Sequence, residues 1–178
     1  MTADECVYEM INNENDALLC AELIVEEFSV HNPLTIFGKQ TPVDFFKECS
    51  WPLTAELLDK RLSFLVSHRS SREIVGAVIA GDLYRYHHRY PYDVSCPPNA
   101  NPIFDLFDEM DNVFIVKDFG QELKLNLVLQ IQLTATSSKH SGKGTTSQLK
   151  AAMINYAQNE KGLKYVFTQT TNPVIRHI

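Results

Sequence analysis

A short stretch of this sequence combines serines, glycines and basic side chains in a pattern that could bind an anion. It runs from Ser137 to Thr145, after an alternating apolar run that predicts a strand over Leu123 to Thr134. Apolar residues at helical spacing from Leu149 onward predict that a helix follows the loop. The basic residues of the loop are Lys139, His140 and Lys143. Because the free N–H groups of a helix's first turn attract anions, and glycine lets a phosphate approach the backbone, we expect a phosphate-bearing ligand here.

Two nucleotide-binding motifs fail to match this loop. A nucleotide-triphosphate loop has the pattern G-x-x-x-x-G-K-[ST], but Ser137 stands at its first glycine and Gly144 follows Gly142-Lys143. The dinucleotide fingerprint G-x-G-x-x-G also fails, because Ser147 stands at its third glycine. A phosphate-loop nucleotide binder is therefore the disfavoured interpretation.

A third pattern, [RQ]-x-x-G-x-[GA] after a strand, occurs here as Lys139-His-Ser-Gly142-Lys-Gly144, with Lys in place of Arg or Gln. It resembles the acetyl-CoA pyrophosphate loop of the GNAT superfamily of N-acetyltransferases. The segment Phe28-Ser-Val-His31-Asn32-Pro-Leu resembles the F-x-x-D-E-P-L segment of the invertebrate arylalkylamine (dopamine-type) N-acetyltransferases. Thr171-Asn172 resembles the T-N pair of that group, so the resemblance covers nearly the whole chain in order.

The resemblance implies an α/β fold of the GNAT type. Such a fold has a mixed, mainly antiparallel sheet flanked by helices, with a V-shaped gap expected after Leu133, and we expect one domain over residues 1–178. In the superfamily a helix and two more strands follow the T-N position, whereas this sequence stops at Ile178. We therefore expect a C-terminally incomplete domain that lacks the last helix and strands. The exposed C-terminal sheet edge would then favour a homo-oligomer.

The resemblance also implies a reaction: direct transfer of acetyl from acetyl-CoA to a small amine such as an arylalkylamine. The end of the predicted strand, at Leu133 to Ala135, would bind the pantetheine arm and offer a backbone N–H to the oxyanion. The glycine loop would bind the pyrophosphate. The candidate cofactor-binding residues are Leu133, Thr134, Ala135, Lys139, His140, Ser141, Gly142, Lys143, Gly144, Thr145 and Asn172.

A general base is needed because only a neutral amine attacks the thioester. Asn32 stands where the arylalkylamine group has its proposed Glu base, and an amide cannot take a proton at neutral pH. His31, with an ordinary pKa of about 6.5, and Asp82, expected at a strand end facing the cleft, are the candidate catalytic residues. The superfamily's usual acid, a Tyr or Ser, has no counterpart here. A non-catalytic or weakly active acyl-CoA-binding protein is therefore the alternative.

Composition narrows the function classes further. The chain has 178 residues with 16 basic and 22 acidic side chains, a net charge of −6, which argues against a nucleic-acid binder. Its four cysteines form no C-x-x-C pair, so no metal site is expected. The apolar run from Ile74 to Ala80 is too short to span a membrane, and the first residues lack a signal-peptide pattern. The sequence predicts a cytoplasmic protein whose partner is a small molecule.

The remaining segments predict a mixed order of strands and helices. A helix is expected from Thr41-Pro42, divided by a break at Trp51-Pro52, with Thr54 capping the remainder through Arg61. The stretch from Tyr84 to Asn101 is predicted as a long loop. Further predictions are strands over 6–11, 62–67, 73–84 and 165–170, and helices from about 15 to 31 and 101 to 116.

Overall fold

The computed structural model of this protein describes residues 5–91, 93, 95 and 102–171. Within them, five strands form one sheet in the order β1-β2-β3-β4-β5. The strands are β1 (Cys6–Met10), β2 (Phe64–His68), β3 (Ile74–Asp82), β4 (Val128–Thr136) and β5 (Tyr165–Thr168). The pairs from β1 to β4 are antiparallel, and β4 pairs with β5 in parallel. The predicted mixed, mainly antiparallel sheet flanked by helices is confirmed.

Helices cover both faces of this sheet. They are α1 (Glu14–His31), α2 (Pro33–Phe37), α3 (Pro42–Phe45), α4 (Trp51–Leu57), α5 (Leu83–Arg89), α6 (Pro102–Val113) and α7 (Thr145–Lys161). Ile24 of α1 packs with Ile79 on one face, and Leu149 of α7 packs with Val78 on the other. Because both faces of β3 are covered, its sequence is a nearly continuous apolar run rather than an alternating one.

A β-bulge at Gln132 divides β4 into two parts that face opposite helices. Ile79 pairs with Leu133 whereas Ala80 pairs with Ile131, so Gln132 is the extra residue of the strand. Ile131 therefore packs in the cluster of α7, while Leu133 packs in the cluster of α1. The regular alternation of the sequence predicts a single face for both residues, and the bulge is what separates them.

The parallel pairing of β4 with β5 stops before β4 ends. The register runs from Val128 opposite Tyr165 to Ile131 opposite Thr168, while β4 continues to Thr136. Within the described residues no strand pairs with this side of β4 beyond Ile131. The two strands therefore separate two residues earlier than the gap expected after Leu133.

Four predictions about where elements begin or break are wrong. The helical segment does not break at Trp51-Pro52, because a π-helical turn (Phe46–Ser50) leads directly into α4 with proline in its first turn, where no N–H is needed. Thr54 does not cap a helix there: its hydroxyl donates to the Ser50 carbonyl at 2.7 Å. The expected loop from Tyr84 begins as α5. β4 begins at Val128 rather than Leu123, because Asn126 has a left-handed φ of 57° that a strand does not allow.

The other elements agree with the sequence analysis. α1 ends at His31, α3 begins after Thr41 as its cap, and α7 ends before Gly162. α6 runs on into a second π-helical turn, Phe114–Asp118. No helix among the described residues is long and apolar enough to cross a membrane.

Candidate active site

A cleft of about 830 Å³ opens where β4 and β5 separate. Its floor is β4 from Gln130 to Thr136. The ends of α1 and β5, the segment through α2 and α4, residues of α5 and α6, and the first turns of α7 form its walls. The bulge and the separation of the two strands therefore give the cleft its floor, since bulges re-aim side chains and end strand pairing.

The strand residues predicted to bind a cofactor line this cleft. Leu133, Thr134 and Ala135 contribute to its floor, and their strand has no partner on the β5 side among the described residues. Such an edge can pair with amide groups of an extended ligand, as a further strand would. Ser141 and Gly142 of the loop also line the cleft.

The glycine loop has the geometry of an anion site. Gly142 and Gly144 both have φ of 73°, and no atom lies within 4 Å of where a Cβ would stand on either. Gly144 precedes α7 and has no side chain to cap it, so the first-turn amides of α7 are open to a ligand. The Nδ1 atom of His140 is buried without a hydrogen-bond partner in the part of the chain that the structure describes. The open space at the two glycines and the free first-turn amides fit a pyrophosphate group.

Side-chain contacts hold this loop against its neighbours. Ser138 N–H donates to Glu27 Oε1 of α1 at 2.8 Å, which fixes the start of the loop. The hydroxyls of Thr136 and Thr146 lie 2.5 Å apart and join the end of β4 to the first turn of α7. Lys150, one turn further along α7, lines the cleft, and partial burial lowers its pKa.

The other predicted loop residues, Lys139, His140, Lys143, Gly144 and Thr145, are not part of the cleft lining. Lys139 and Lys143 are exposed on the loop, and Thr145 is buried at the start of α7. Asn172 lies outside the described residues.

Asp82 does not face the cleft as the sequence analysis expected. Its Oδ1 accepts the N–H of Tyr84 at 2.8 Å and so caps α5, while its Oδ2 accepts the N–H of Asn126 at 2.5 Å. The side chain is buried and is not part of the cleft lining. Its carboxylate is therefore occupied in holding α5 and the turn before β4, and this position corrects its assignment as a base.

Replacing Asp82 by alanine is expected to lower the free energy of unfolding by about 2 kcal/mol, because a helix cap and a buried backbone partner are both lost. Urea unfolding measures the change. Asp59→Ala is the matched control: its carboxylate is 71% exposed and pairs with the adjacent Lys60, so a change within about 0.5 kcal/mol is expected. Equal losses for the two variants would contradict the assigned capping role.

His31 lines the cleft at the end of α1. Its side chain is 57% exposed, and its Nε2 lies 3.7 Å from Glu27 Oε2. Since Glu27 also holds the start of the glycine loop, His31 lies on the loop side of the cleft. Asn32 caps α2 by accepting the N–H groups of Leu34 and Thr35, and its amide donates to Thr171 Oγ1 at 3.1 Å across the cleft.

A buried carboxyl on the cleft wall escaped the sequence analysis. Asp111 of α6 is 4% exposed and lines the cleft. Its Oδ2 accepts from Gln130 Nε2 at 2.7 Å, and its Oδ1 accepts from Gln169 Nε2 at 2.6 Å. Burial, reinforced by the negative charge of Asp108, raises the pKa of Asp111 to about 6 although the two amide donors oppose this rise. Perturbed carboxyls in clefts mark candidate functional groups.

The sequence does contain a signal for the Asp111 carboxyl. Asp105, Asp108 and Asp111 follow one another at intervals of three, so they share one face of a helix. The sequence does not show which strand residue this helix face contacts. The contact with Gln130 joins positions 19 residues apart, and only the fold brings them together.

Solved structures with the same fold include three proteins whose names say what they bind or act on. The C-terminal condensation domain of Ebony, in complex with beta-alanyl-dopamine, matches with a TM-score of 0.74 and 18% identity over 97% of this chain and 78% of that one. The mosquito arylalkylamine N-acetyltransferase like 5b matches with a TM-score of 0.70, 12% identity and coverage of 97% and 79%. The Drosophila melanogaster polyamine N-acetyltransferase, which forms N-acetylagmatine, matches with a TM-score of 0.62, 14% identity and coverage of 97% and 79%.

No protein-family model matches the sequence, and no curated protein matches it significantly. The chain has the GNAT fold of these structures, as the sequence resemblance implies. At such low identity the likeness concerns the fold, and the chemistry has to be argued from the site itself.

Proposed function

We propose that this protein transfers acetyl from acetyl-CoA to the amino group of a small arylalkylamine. The observation that carries this proposal is the continuity of the cleft. One surface joins the open edge of β4 after its bulge, the glycine loop at the start of α7, and a wall of aromatic and acidic side chains. A thioester ligand and an amine could therefore meet over the floor of the cleft at Leu133.

The residues of the loop and strand suit acetyl-CoA. The first-turn amides of α7 and the loop at Gly142 and Gly144 would hold the pyrophosphate, with positive charge from Lys139 and Lys143 nearby. The edge of β4 would bind the amides of the pantetheine arm. Acetyl-CoA supplies an activated acyl group, and a backbone N–H of β4 beside the bulge can stabilise the oxyanion that forms during transfer.

The rest of the cleft lining suits an aromatic amine. Phe28 stacks on Phe45 with ring centroids 5.6 Å apart, and the rings of Tyr86 and Tyr90 lie 5.2 Å apart. Further aromatic and acidic groups of the lining are Phe104, Phe107, Glu48, Glu56, Asp108 and Asp111. Aromatic rings favour an aryl group by stacking, and carboxylates favour an ammonium group. The neighbour bound to beta-alanyl-dopamine and the mosquito arylalkylamine enzyme support the choice of amine class.

One observation favours the alternative, a non-catalytic or weakly active acyl-CoA-binding protein. Asn32 replaces the Glu that the resemblance leads us to expect, and its amide is engaged with Thr171 and the start of α2. His31 next to it remains a candidate base, on the loop side of the cleft. A cytoplasmic location and a homo-oligomer formed through the sheet edge stay predictions from the sequence.

Thiol release from acetyl-CoA separates the two functions. We expect release to depend on an added arylalkylamine such as tyramine or tryptamine, and calorimetry to detect CoA binding by the same preparation. Binding of CoA without thiol release for any amine in a panel of arylalkylamines and polyamines would favour the non-catalytic protein. Absence of CoA binding would contradict both functions.

A further inference from the structure

We propose that the Asp111 carboxylate binds the ammonium group of the amine substrate and accepts its proton before acetyl transfer. This inference rests on the proposed function and names the group at the amine end of the same cleft. It makes Asp111 the catalytic residue in place of the Glu that Asn32 replaces, and it gives His31 no part in proton transfer.

The carboxylate is held at the point where the two parallel strands separate. Gln130 of β4 and Gln169, just beyond β5, each donate one amide N–H to a different oxygen of Asp111. Gln169 also donates to the Phe107 carbonyl at 2.9 Å, which fixes its own side chain. The bulge residue Gln132 in turn donates to Gln130 Oε1 at 3.2 Å. A chain of hydrogen bonds therefore links Asp111 to the bulge from which the oxyanion donor is expected.

The two amides leave Asp111 with acceptor capacity. A carboxylate offers about four lone-pair sites, and the two amide bonds occupy one on each oxygen. Because Asp111 lines the cleft, a ligand there can approach the remaining sites. A buried carboxylate with free acceptor sites is a strong partner for an ammonium group, which has three donors and no acceptor.

The charges around Asp111 favour a cation. On its own helix the charge of Asp108 acts on Asp111, and burial raises the pKa of Asp108 also. From α5 the Tyr86 hydroxyl donates to Asp108 Oδ1 at 3.4 Å. Burial and these two acids raise the pKa of Tyr86, with Cys49 as a further neighbour, so that phenol stays neutral. β4 contributes the neutral amide of Gln130 at this place, and the segment just beyond β5 contributes the neutral amide of Gln169.

The proton transfer completes a balanced reaction. Asp111 takes one of the three ammonium protons, and the nitrogen lone pair then forms the C–N bond to the thioester carbonyl carbon. The C–S bond breaks and its electron pair goes to sulfur. A second nitrogen proton passes to the thiolate, the third stays on the amide product, and Asp111 returns its proton to water. A pKa of about 6 keeps the carboxylate ionised at neutral pH and ready for the next amine.

The test compares Asp111→Asn with Glu109→Gln, a variant of an exposed acid on the same helix. With tyramine as substrate, Asp111→Asn is expected to lower kcat/KM by about 100-fold or more. For the wild type, kcat/KM should rise with pH through about 6 as Asp111 loses its proton. This acidic limb should vanish in Asp111→Asn and persist in Glu109→Gln. CoA affinity, measured by calorimetry, should be unchanged in both variants.

Asp108→Asn gives a second, independent readout. Removing the negative neighbour should lower the pKa of Asp111, so the acidic limb should move to lower pH rather than vanish. A limb that stays in place in Asp108→Asn and survives in Asp111→Asn would overturn the proposal. Loss of the limb in His31→Gln would overturn it as well, because His31 would then be the titrating base.

Equilibrium binding tests Asp111 even if the protein turns over no amine. Calorimetry of the CoA-loaded wild type should show tyramine binding that weakens about 30-fold or more in Asp111→Asn. Tyrosol, the uncharged alcohol of the same shape, should bind the two proteins equally. Equal tyramine binding by both proteins would overturn the assignment. Absence of turnover in the wild type alone would instead count against the proposed function.

Discussion

Replacing Gly142 by valine is expected to weaken CoA binding by about 100-fold or more while the protein still folds. Gly142 has φ of 73°, which valine adopts only with strain, so relaxing that strain would displace the loop amides from the phosphate. No atom lies within 4 Å of the new Cβ, so the protein itself has room for the side chain. The expected loss of binding free energy corresponds to about two charge-assisted hydrogen bonds, each worth about 1.5–3 kcal/mol. Calorimetric titration with CoA measures it.

Gly120→Val is the matched control for this loop variant. Gly120 has φ of 67° and equally open space around its Cβ position, but it is not part of the cleft lining. Both variants should therefore lose similar stability through backbone strain, about 1–3 kcal/mol, and only the Gly142 variant should lose CoA binding. Wild-type affinity in Gly142→Val would show that the phosphate site lies elsewhere.

Replacing Leu149 by alanine is expected to lower the free energy of unfolding by about 3 kcal/mol, within the range for buried leucines. Leu149 is fully buried and packs α7 against the sheet together with Met153, Val78 and Leu129. The deleted atoms leave a cavity under α7, the helix whose first-turn amides are open to the ligand. Urea unfolding with and without CoA measures the loss.

Leu19→Ala is the control for the core variant. Leu19 lies on α1 with 43% of its surface exposed, and alanine is a good helix former, so the expected change stays below about 1 kcal/mol. CoA should restore stability to Leu149→Ala, because a ligand that binds only the folded state stabilises it by mass action. Equal losses in the two leucine variants would contradict the packing described for α7.

The sequence was sufficient to predict the elements that depend on local signals. The cap at Thr41, the proline after His31-Asn32 and the glycine after α7 mark their boundaries correctly, because capping and backbone restriction act within a few residues. The glycine loop between β4 and α7 is predictable for the same reason. Its motif lies within one strand, one turn and one helix.

Features that depend on pairing between distant segments were not predictable. The bulge at Gln132 exists because of how β4 pairs with β3, and the sequence of β4 alone shows unbroken alternation. Asp82 has the residue type of a general base, but the N–H groups of Tyr84 and Asn126 decide its role. Asp111 gains its raised pKa only when tertiary contacts bury it beside Gln130 and Gln169.

The misplaced boundary at Trp51-Pro52 has a more local cause. Proline disfavours a helical residue before it, and that rule predicts a break. The chain instead forms a wider π-helical turn over Phe46–Ser50, which brings Pro52 to the first turn of α4. Ser50 is then fully buried, with its hydroxyl donating to the Ala21 carbonyl at 2.9 Å, so packing against α1 stabilises the continuous path.

The central claim, acetyl transfer within the cleft where β4 and β5 separate, is tested most directly by mass spectrometry of the acceptor. The full chain is incubated with acetyl-CoA and tyramine, and Gly142→Val serves as the matched sample. Tyramine is expected to gain the mass of one acetyl group with the wild type and not with the variant. Unmodified amine with the CoA-bound wild type, or equal product from both proteins, would contradict the claim.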